Sequence, residues 1–456
     1  MRRLSPVLLL AGAVAVVYLN SFRGVFQFDD YNVIVDSAGV HSWGAFLAGL
    51  PGGIRPLLKF TYTLNWTSGL GLFGFHLVNV TLHAANAVML FFLAARIGAP
   101  SASRFAALLP ALLFAVHPVQ TEAVTYISGR SVSLMAFFYL GSLLVYLRGR
   151  ERESRLLLHA ASPILFLLAV ASKEVALTLP FALVLCEAAR RERKGWKEAL
   201  RAQAVHWTLL CSLAVLFLAH SGYGRLLEAC FDIRGAASNL LTQLHGIAYL
   251  LSRLVRPHDL NIDPDLPVFS GWAHVQLPEA LLLAALLAAG FFGLSKRSPA
   301  GFGILWFFLH LVPTNSFIPR LDVANERQLY LASWGLFAVL ATGADLLRER
   351  WGARRITAVV AVLVIALGAL TVSRNAVYRS EIALWEDTVR KSPGKARVWN
   401  NLGYAYDQAG RLRDAEAAYL QALAIDPGYA LARGNLKGLR ARPAVTPALP
   451  ISPAAR

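Results

Sequence analysis

Long uninterrupted apolar runs, such as those around 155–172 and 355–373, recur along most of this 456-residue chain. A helix crosses about 30 Å of hydrocarbon in roughly 17–25 residues, and its backbone polar groups satisfy one another there. Composition agrees, with 56% hydrophobic and 16% charged residues and a mean hydropathy of +0.50. Soluble domains have about 45–50% apolar and about 25% charged residues. The expected fold class is therefore all-α: a polytopic membrane protein, not a soluble enzyme, a disordered chain or a disulfide scaffold. Cys186, Cys211 and Cys230 have no zinc or CxxC spacing; two lie in apolar runs, so they read as small buried hydrophobes. Met1-Arg2-Arg3 and the apolar run to Leu19 resemble a signal peptide. No small-x-small cleavage site precedes Asn20-Ser21-Phe22, so a retained first span is expected.

Spans are expected near 4–20, 74–95, 105–117, 124–147, 156–172, 175–189, 203–220, 277–294, 300–313, 328–347 and 356–373. The stretch 239–255 carries Gln243, His245 and Arg253 and reads as a re-entrant or interfacial helix. With the N-terminus in the cytoplasm, loops 1–5, 96–104, 148–155, 190–201, 295–298 and 348–355 hold 20 Lys/Arg in 46 residues. The opposite segments 21–73, 117–124, 171–175, 221–276 and 314–327 hold 10 in 136. This is the bias that membrane insertion imposes. If 239–255 crossed, the last two basic loops would flip outward. About eleven spans and an outer C-terminus follow. The net charge of +17 thus describes topology and calls for no nucleic acid.

After Arg374 the sequence turns amphipathic. Trp399, Leu402, Gly403, Tyr406, Ala415, Tyr419, Ala422 and Pro427 keep the register of a 34-residue tetratricopeptide (TPR) repeat. Such a repeat is a pair of antiparallel helices with small residues at their contact. Ile382, Leu384, Trp385 and Pro393 read as the second helix of a preceding repeat, and 430–439 as a first helix. The expected organisation is a membrane domain over 1–374, a TPR domain over 375–440 and a disordered tail over 441–456. Within the membrane domain, 21–73 is the first outer loop, and 221–276 is the outer loop that holds the 239–255 helix. The repeats would dock protein or serve as a folded cap.

Ionisable groups near the membrane are costly and are usually functional or paired. Asp29-Asp30 lies just past the first span, and one carboxylate could serve as a general base, or the pair could hold a divalent cation. His117 and Glu122 interrupt the apolar pattern between spans three and four, and Ser128-Gly129-Arg130 falls near the outer end of span four. Lys173-Glu174, Glu326-Arg327 and Arg55 complete a set that falls on one side of the membrane. The loop Arg256–Asp265, with His258 and Asp263, reads as a Pro-rich turn held by Asp and Asn side chains.

The order Asp29-Asp30, Arg55-Pro56-Leu57, Phe75-His76-Leu77-Val78-Asn79, His117-Pro118-Val119-Gln120-Thr121-Glu122-Ala123-Val124, Ser128-Gly129-Arg130, Ser172-Lys173-Glu174 and Glu326-Arg327-Gln328-Leu329-Tyr330 resembles a known family. It is similar to the transmembrane and TPR-containing O-mannosyltransferases and their bacterial relatives, of the C-type glycosyltransferase (GT-C) superfamily. The resemblance covers about residues 5–440. It implies a multispan enzyme that takes a sugar from a polyprenyl-phosphate-linked donor and acts at the non-cytoplasmic face beneath the repeats. The acceptor would be a protein or an envelope glycan. The family's first-loop acidic motif falls on Asp29 and Asp30. The eukaryotic relatives carry many repeats, and little more than one remains here. Inverting displacement of a lipid phosphate needs a base and nearby cations. Asp30 is the preferred base and Asp29 the second, with Arg130, Lys173 and Arg327 holding the phosphate. His117, Glu122, Glu174, Glu326 and Arg55 would shape the pocket or meet the acceptor. The composition suggests a bacterial inner membrane. One rival is a transporter or flippase, which would show inverted repeats that the sequence lacks. The other is a non-catalytic scaffold acting through its TPR domain.

Overall fold

The computed structural model describes residues 4–97, 103–190, 195–271 and 276–442, and among them every regular element is a helix. The tail expected to be disordered lies, beyond residue 442, outside the described residues. So do residues 1–3 and parts of the basic loops 96–104 and 190–201. The chain divides into two compact units, Met1–Ile262 with Leu266–Ser380, and Asp263–Asp265 with Glu381–Arg456.

The first unit begins with α1 (Leu4–Val17), α2 (Trp43–Ala48), α3 (Pro56–Thr67), α4 (Gly71–Ile97), α5 (Arg104–Val116) and α6 (Thr121–Val124). Next come α7 (Arg130–Arg152), α8 (Ser162–Ser172), α9 (Leu179–Ala189), α10 (Trp196–Ala202), α11 (Ala204–Ala219) and α12 (Ser221–Ile233). It ends with α13 (Ala236–Val255), α14 (Leu277–Ser295), α15 (Pro299–Leu311), α16 (Leu329–Trp351) and α17 (Ala353–Val377). Among the described residues, six helical segments are long and apolar enough to cross a membrane, and two bent pairs raise the number to eight. Segments Leu157–Ser172 and Pro299–Leu311 are apolar but shorter. The expected span 175–189 is a 3₁₀ turn, Glu174–Thr178, followed by the eleven-residue α9.

One bend has a plain cause. Arg104–Val116 and Pro118–Val124 meet at 56°. A residue before proline is pushed out of the helical region, and Pro118 has no N–H to continue the ladder. His117 is accordingly extended, with φ −75° and ψ 133°. The chain then folds through a 3₁₀ turn and α6, burying Gln120, Thr121 and Glu122. Helix α13 covers the ambiguous stretch 239–255 and is not among the helices long and apolar enough to cross a membrane. Its Asn239 amide donates to the Ser316 carbonyl at 2.6 Å, and its Gln243 amide donates to the Val323 carbonyl at 2.9 Å.

Helices in lipid gain little from apolar burial against one another, so close backbone approach matters more. Helices α15 and α16 touch at Gly303 and Gly335. A Cβ on either glycine would lie 2.2 Å from the other's carbonyl oxygen. Buried Trp306 and Trp334 pack edge to face beside this contact, 5.2 Å apart. Gly335→Val is expected to prise the pair apart at a cost of about 1–3 kcal/mol. A melting temperature in detergent equal to that of the unsubstituted protein would refute the close contact.

The second unit contains α18 (Glu381–Lys391), α19 (Ala396–Gln408), α20 (Leu412–Ile425) and α21 (Ala430–Ala441). Gly403 lets α19 close on α20, since a Cβ there would meet the Tyr419 ring at 2.7 Å. Ala415, Tyr419 and Ala422 are fully buried behind it. Within this unit the Asp263 carboxylate accepts from Lys395 Nζ at 2.6 Å and Arg397 Nε at 2.8 Å. An ion-pair cluster, and not only a turn, holds that residue.

Candidate functional site

The site starts where the first span ends. Phe28 adopts a left-handed backbone, φ 47°, and turns the chain into Asp29-Asp30. The two aspartates then face different surroundings. Asp30 is fully buried. Its carboxylate accepts from the Gln27 N–H at 3.0 Å, the Ser128 N–H at 2.7 Å and the Ser128 hydroxyl. Burial pushes its pKa from 3.8 up to about 7, against the opposing pull of the Ser128 and Gln27 hydrogen bonds. Asp29 keeps 39% of its side chain exposed, and its carboxylate lies 3.7 Å from the Arg327 guanidinium. Its backbone N–H donates to the Tyr126 hydroxyl at 2.8 Å. The expectation that Asp30 is the first-choice base therefore meets an obstacle. Its oxygens are taken, and Asp29 is the carboxylate an acceptor could reach.

The His117–Glu122 block forms the inner wall. Gly129 packs so tightly on it that a Cβ would lie 2.2 Å from the Glu122 carbonyl oxygen. The Glu122 carboxylate is buried, accepts from the Arg327 N–H at 2.9 Å and lies 3.5 Å from its guanidinium. Arg327 thus stands between Glu122 and Asp29, over the Tyr126 ring at 5.9 Å. His117 caps the 3₁₀ turn by accepting from the Val119 N–H at 3.2 Å, and its other ring nitrogen lies 3.2 Å from the Leu254 carbonyl. Both nitrogens are engaged in holding the bend. Glu326 is buried and accepts from the Asn261 N–H.

Arg130 also turns out to be committed. It is fully buried and donates to Asn79 Oδ1 at 2.7 Å and the Phe75 carbonyl at 2.9 Å, with weaker contacts to Thr61. It sits over the Tyr62 and Phe75 rings at 5.1 and 5.2 Å. These bonds tie α3, α4 and α7 together and leave little of the guanidinium for a phosphate. Arg130→Met is expected to lower thermal stability by about 2–5 kcal/mol, because it strands buried acceptors. Normal melting with selectively weakened donor binding would overturn that structural role.

The cations that remain converge from separate elements. Arg55, with φ 54° at the start of α3, makes a bidentate pair with Glu174 at 2.9–3.1 Å. The Tyr223 hydroxyl donates to the same carboxylate at 3.1 Å. Burial works against the Glu174 carboxylate, but the Arg55 charge prevails and holds its pKa below the ordinary value. Lys173, in extended backbone at the end of α8, is half-buried and makes no side-chain hydrogen bond or ion pair among the described residues. Burial, reinforced by the charges of Arg327, Arg55 and Arg320, drives its pKa far below the usual lysine value, and Glu174 restores only part of it. Arg320 is likewise half-buried. Burial and Arg327 lower its pKa to about 10. Sequence reasoning did not single out Arg320. The available signal was that it is one of only ten basic residues in the outer segments. Tyr126 and Tyr223 were missed too, since hydroxyls next to apolar residues leave no pattern, and Ser128 stood out only as part of Ser128-Gly129-Arg130.

This arrangement gathers positive charge near a reachable carboxylate, and like charges in one place repel less once a negative charge joins them. No group of three or more His, Cys, Asp or Glu among the described residues is placed to hold a metal ion.

The tetratricopeptide repeat family matches residues 396–429. The chain is 27% identical to protein O-mannosyl-transferase TMTC3 of Mus musculus, over 92% of this chain and 51% of that protein. It is 26% identical to protein O-mannosyl-transferase F38B6.6 of Caenorhabditis elegans, over 93% of this chain and 63% of the relative. With protein O-mannosyl-transferase Tmtc1 of Drosophila melanogaster the identity is 37%, over 39% of this chain and 22% of that protein. The chain spans about half the length of the TMTC3 protein it matches. The similarity to the TMTC3 and F38B6.6 proteins, both named protein O-mannosyl-transferases, thus runs through nearly all of the chain.

Proposed function

We propose that this multi-pass membrane protein is a GT-C-type glycosyltransferase. It moves a sugar, mannose in the relatives' names, from a polyprenyl-phosphate donor to a protein hydroxyl at the non-cytoplasmic face. The observation that carries this reading is the Arg327 guanidinium 3.7 Å from the exposed carboxylate of Asp29, with Lys173 and Arg320 near enough to feel the Arg327 charge. Asp29 takes the proton of the acceptor hydroxyl as its oxygen bonds to the anomeric carbon from the face opposite the phosphate. The carbon–oxygen bond to the phosphate breaks, the electron pair stays on the phosphate, and configuration inverts. Lys173, Arg320 and Arg327 meet the growing phosphate charge. Asp30 and Ser128 hold the turn that aims Asp29, and Arg55 with Glu174 frames the cations. The repeat unit supplies a protein-docking surface. The N-terminus faces the cytoplasm, as the basic loops direct.

The test is transfer of labelled mannose from polyprenyl-phosphate mannose to Ser/Thr peptides by the purified chain in liposomes. Labelled peptide and released polyprenyl phosphate are expected in equal amounts. Donor hydrolysed without labelled product, or carried across the bilayer intact, would overturn the reading.

A further inference from the structure

Helix α12 follows α11 with only His220 between them. Helix α11 completes a bent pair apolar enough to span a membrane, so α12 begins at a membrane surface. No described side chain of α12 is buried by the protein. At 100° per residue, Tyr223, Leu227, Cys230, Phe231 and Ile233 share one half of the helix, and Arg225, Glu228 and Asp232 share the other. Phe231 and Ile233 are each 44% exposed. Polar contacts fix the two ends. The Tyr223 hydroxyl donates to Glu174, and Arg234 just beyond the helix donates to the carbonyl of Arg320. Both anchors belong to the cation cluster around Lys173.

The protein covers the apolar half only in part, at Tyr223, Leu227 and Cys230, and leaves Phe231 and Ile233 open. A strongly amphipathic helix with such an open apolar edge lies in the interface plane with that edge in lipid. We infer that α12 is such an in-plane helix, seated in bilayer lipid, and that it forms the side door of the cation site. Through that door the hydrocarbon chain of the lipid-linked donor passes between site and membrane. The chemistry requires such a passage. A polyprenyl chain cannot cross water, so a phosphate held by Lys173 and Arg320 must let its chain run sideways into the bilayer. The polar half of α12, with Arg225, Glu228 and Asp232, would face the aqueous side. This inference rests on the transferase reading for its donor, but the membrane seat of α12 is measurable without it.

Two measurements test it. A nitroxide on Ile233→Cys, in a Cys211→Ser, Cys230→Ser background in phosphatidylcholine vesicles, is expected to collide with oxygen far more than with a water-soluble nickel chelate. Accessibility like that of a water-exposed label would overturn the in-plane seat. In the second, Phe231→Asp is expected to raise KM for a long-chain polyprenyl-phosphate mannose by about tenfold. KM for a short citronellyl-phosphate mannose should stay within about twofold, and Phe231→Leu should behave like the unsubstituted chain. Equal loss with both donors would remove the side-door role. If the unsubstituted chain turns over neither donor, the transferase reading fails, and the label depth still decides where α12 lies.

Discussion

Asp29→Asn lowers the transfer rate by about 10²–10⁴-fold, the usual worth of a positioned general base. Because the change is isosteric and the side chain is 39% exposed, folding and donor binding are expected to stay near normal. Asp30→Asn gives the opposite pattern. Its carboxylate accepts from three donors at Gln27 and Ser128, and an amide there turns an NH₂ toward one of them. That substitution should cost stability, about 1–3 kcal/mol, with activity per folded molecule reduced less than in Asp29→Asn. The pH dependence separates the two further. The folded pKa of Asp30 lies near 7 against an ordinary 3.8, so the folded state binds more protons between those values. Stability should therefore fall as pH rises from about 4 to about 7, and Asp30→Asn should lose that slope. Full loss of transfer in Asp30→Asn at unchanged stability, with Asp29→Asn active, would reverse the assignment.

Lys173→Met removes the uncommitted cation from the cluster. Loss of one preorganised charge at a departing phosphate costs about 10²–10³-fold in rate. The same substitution should stabilise the donor-free protein. Folding places Lys173 among Arg55, Arg320 and Arg327, where its charge is disfavoured, so the unfolded chain binds the proton more tightly. Stability of the unsubstituted protein then rises as pH climbs toward the ordinary lysine pKa, and the variant should lack this rise. Below that range Lys173→Met should melt higher and work worse. Donor phosphate should restore the stability of the unsubstituted chain and do little for the variant. A Lys173→Met protein that melts lower and still transfers sugar would show a structural lysine.

Much of this was legible along the chain because it depends on local sequence. Apolar runs set the helices, and the basic loops set the expected orientation. The spacing from Trp399 to Pro427 set the repeat. The bend at His117-Pro118 follows from the backbone chemistry of proline. Roles within the site were less legible, because they depend on which partner each charge finds. Asp29 and Asp30 are adjacent and chemically identical, yet Ser128, 98 residues away, takes one oxygen of Asp30 and Gln27 the other, while Asp29 stays open. Arg130 and Lys173 both look like misplaced cations, and only packing against Asn79 and Phe75 marks the first as a strut.

The sequence by itself determined the solvent, the helical class, the repeat and the small stock of charges that lipid makes expensive. Only the tertiary structure decided which of those charges are spent on one another and which stay free for a ligand. The physical reason is that hydropathy adds up along a segment, whereas the state of an ionisable group is set by partners brought from distant segments. Arg320, unremarkable in sequence, gains its interest only from the charges of Arg327 and Lys173 that the fold brings within its reach.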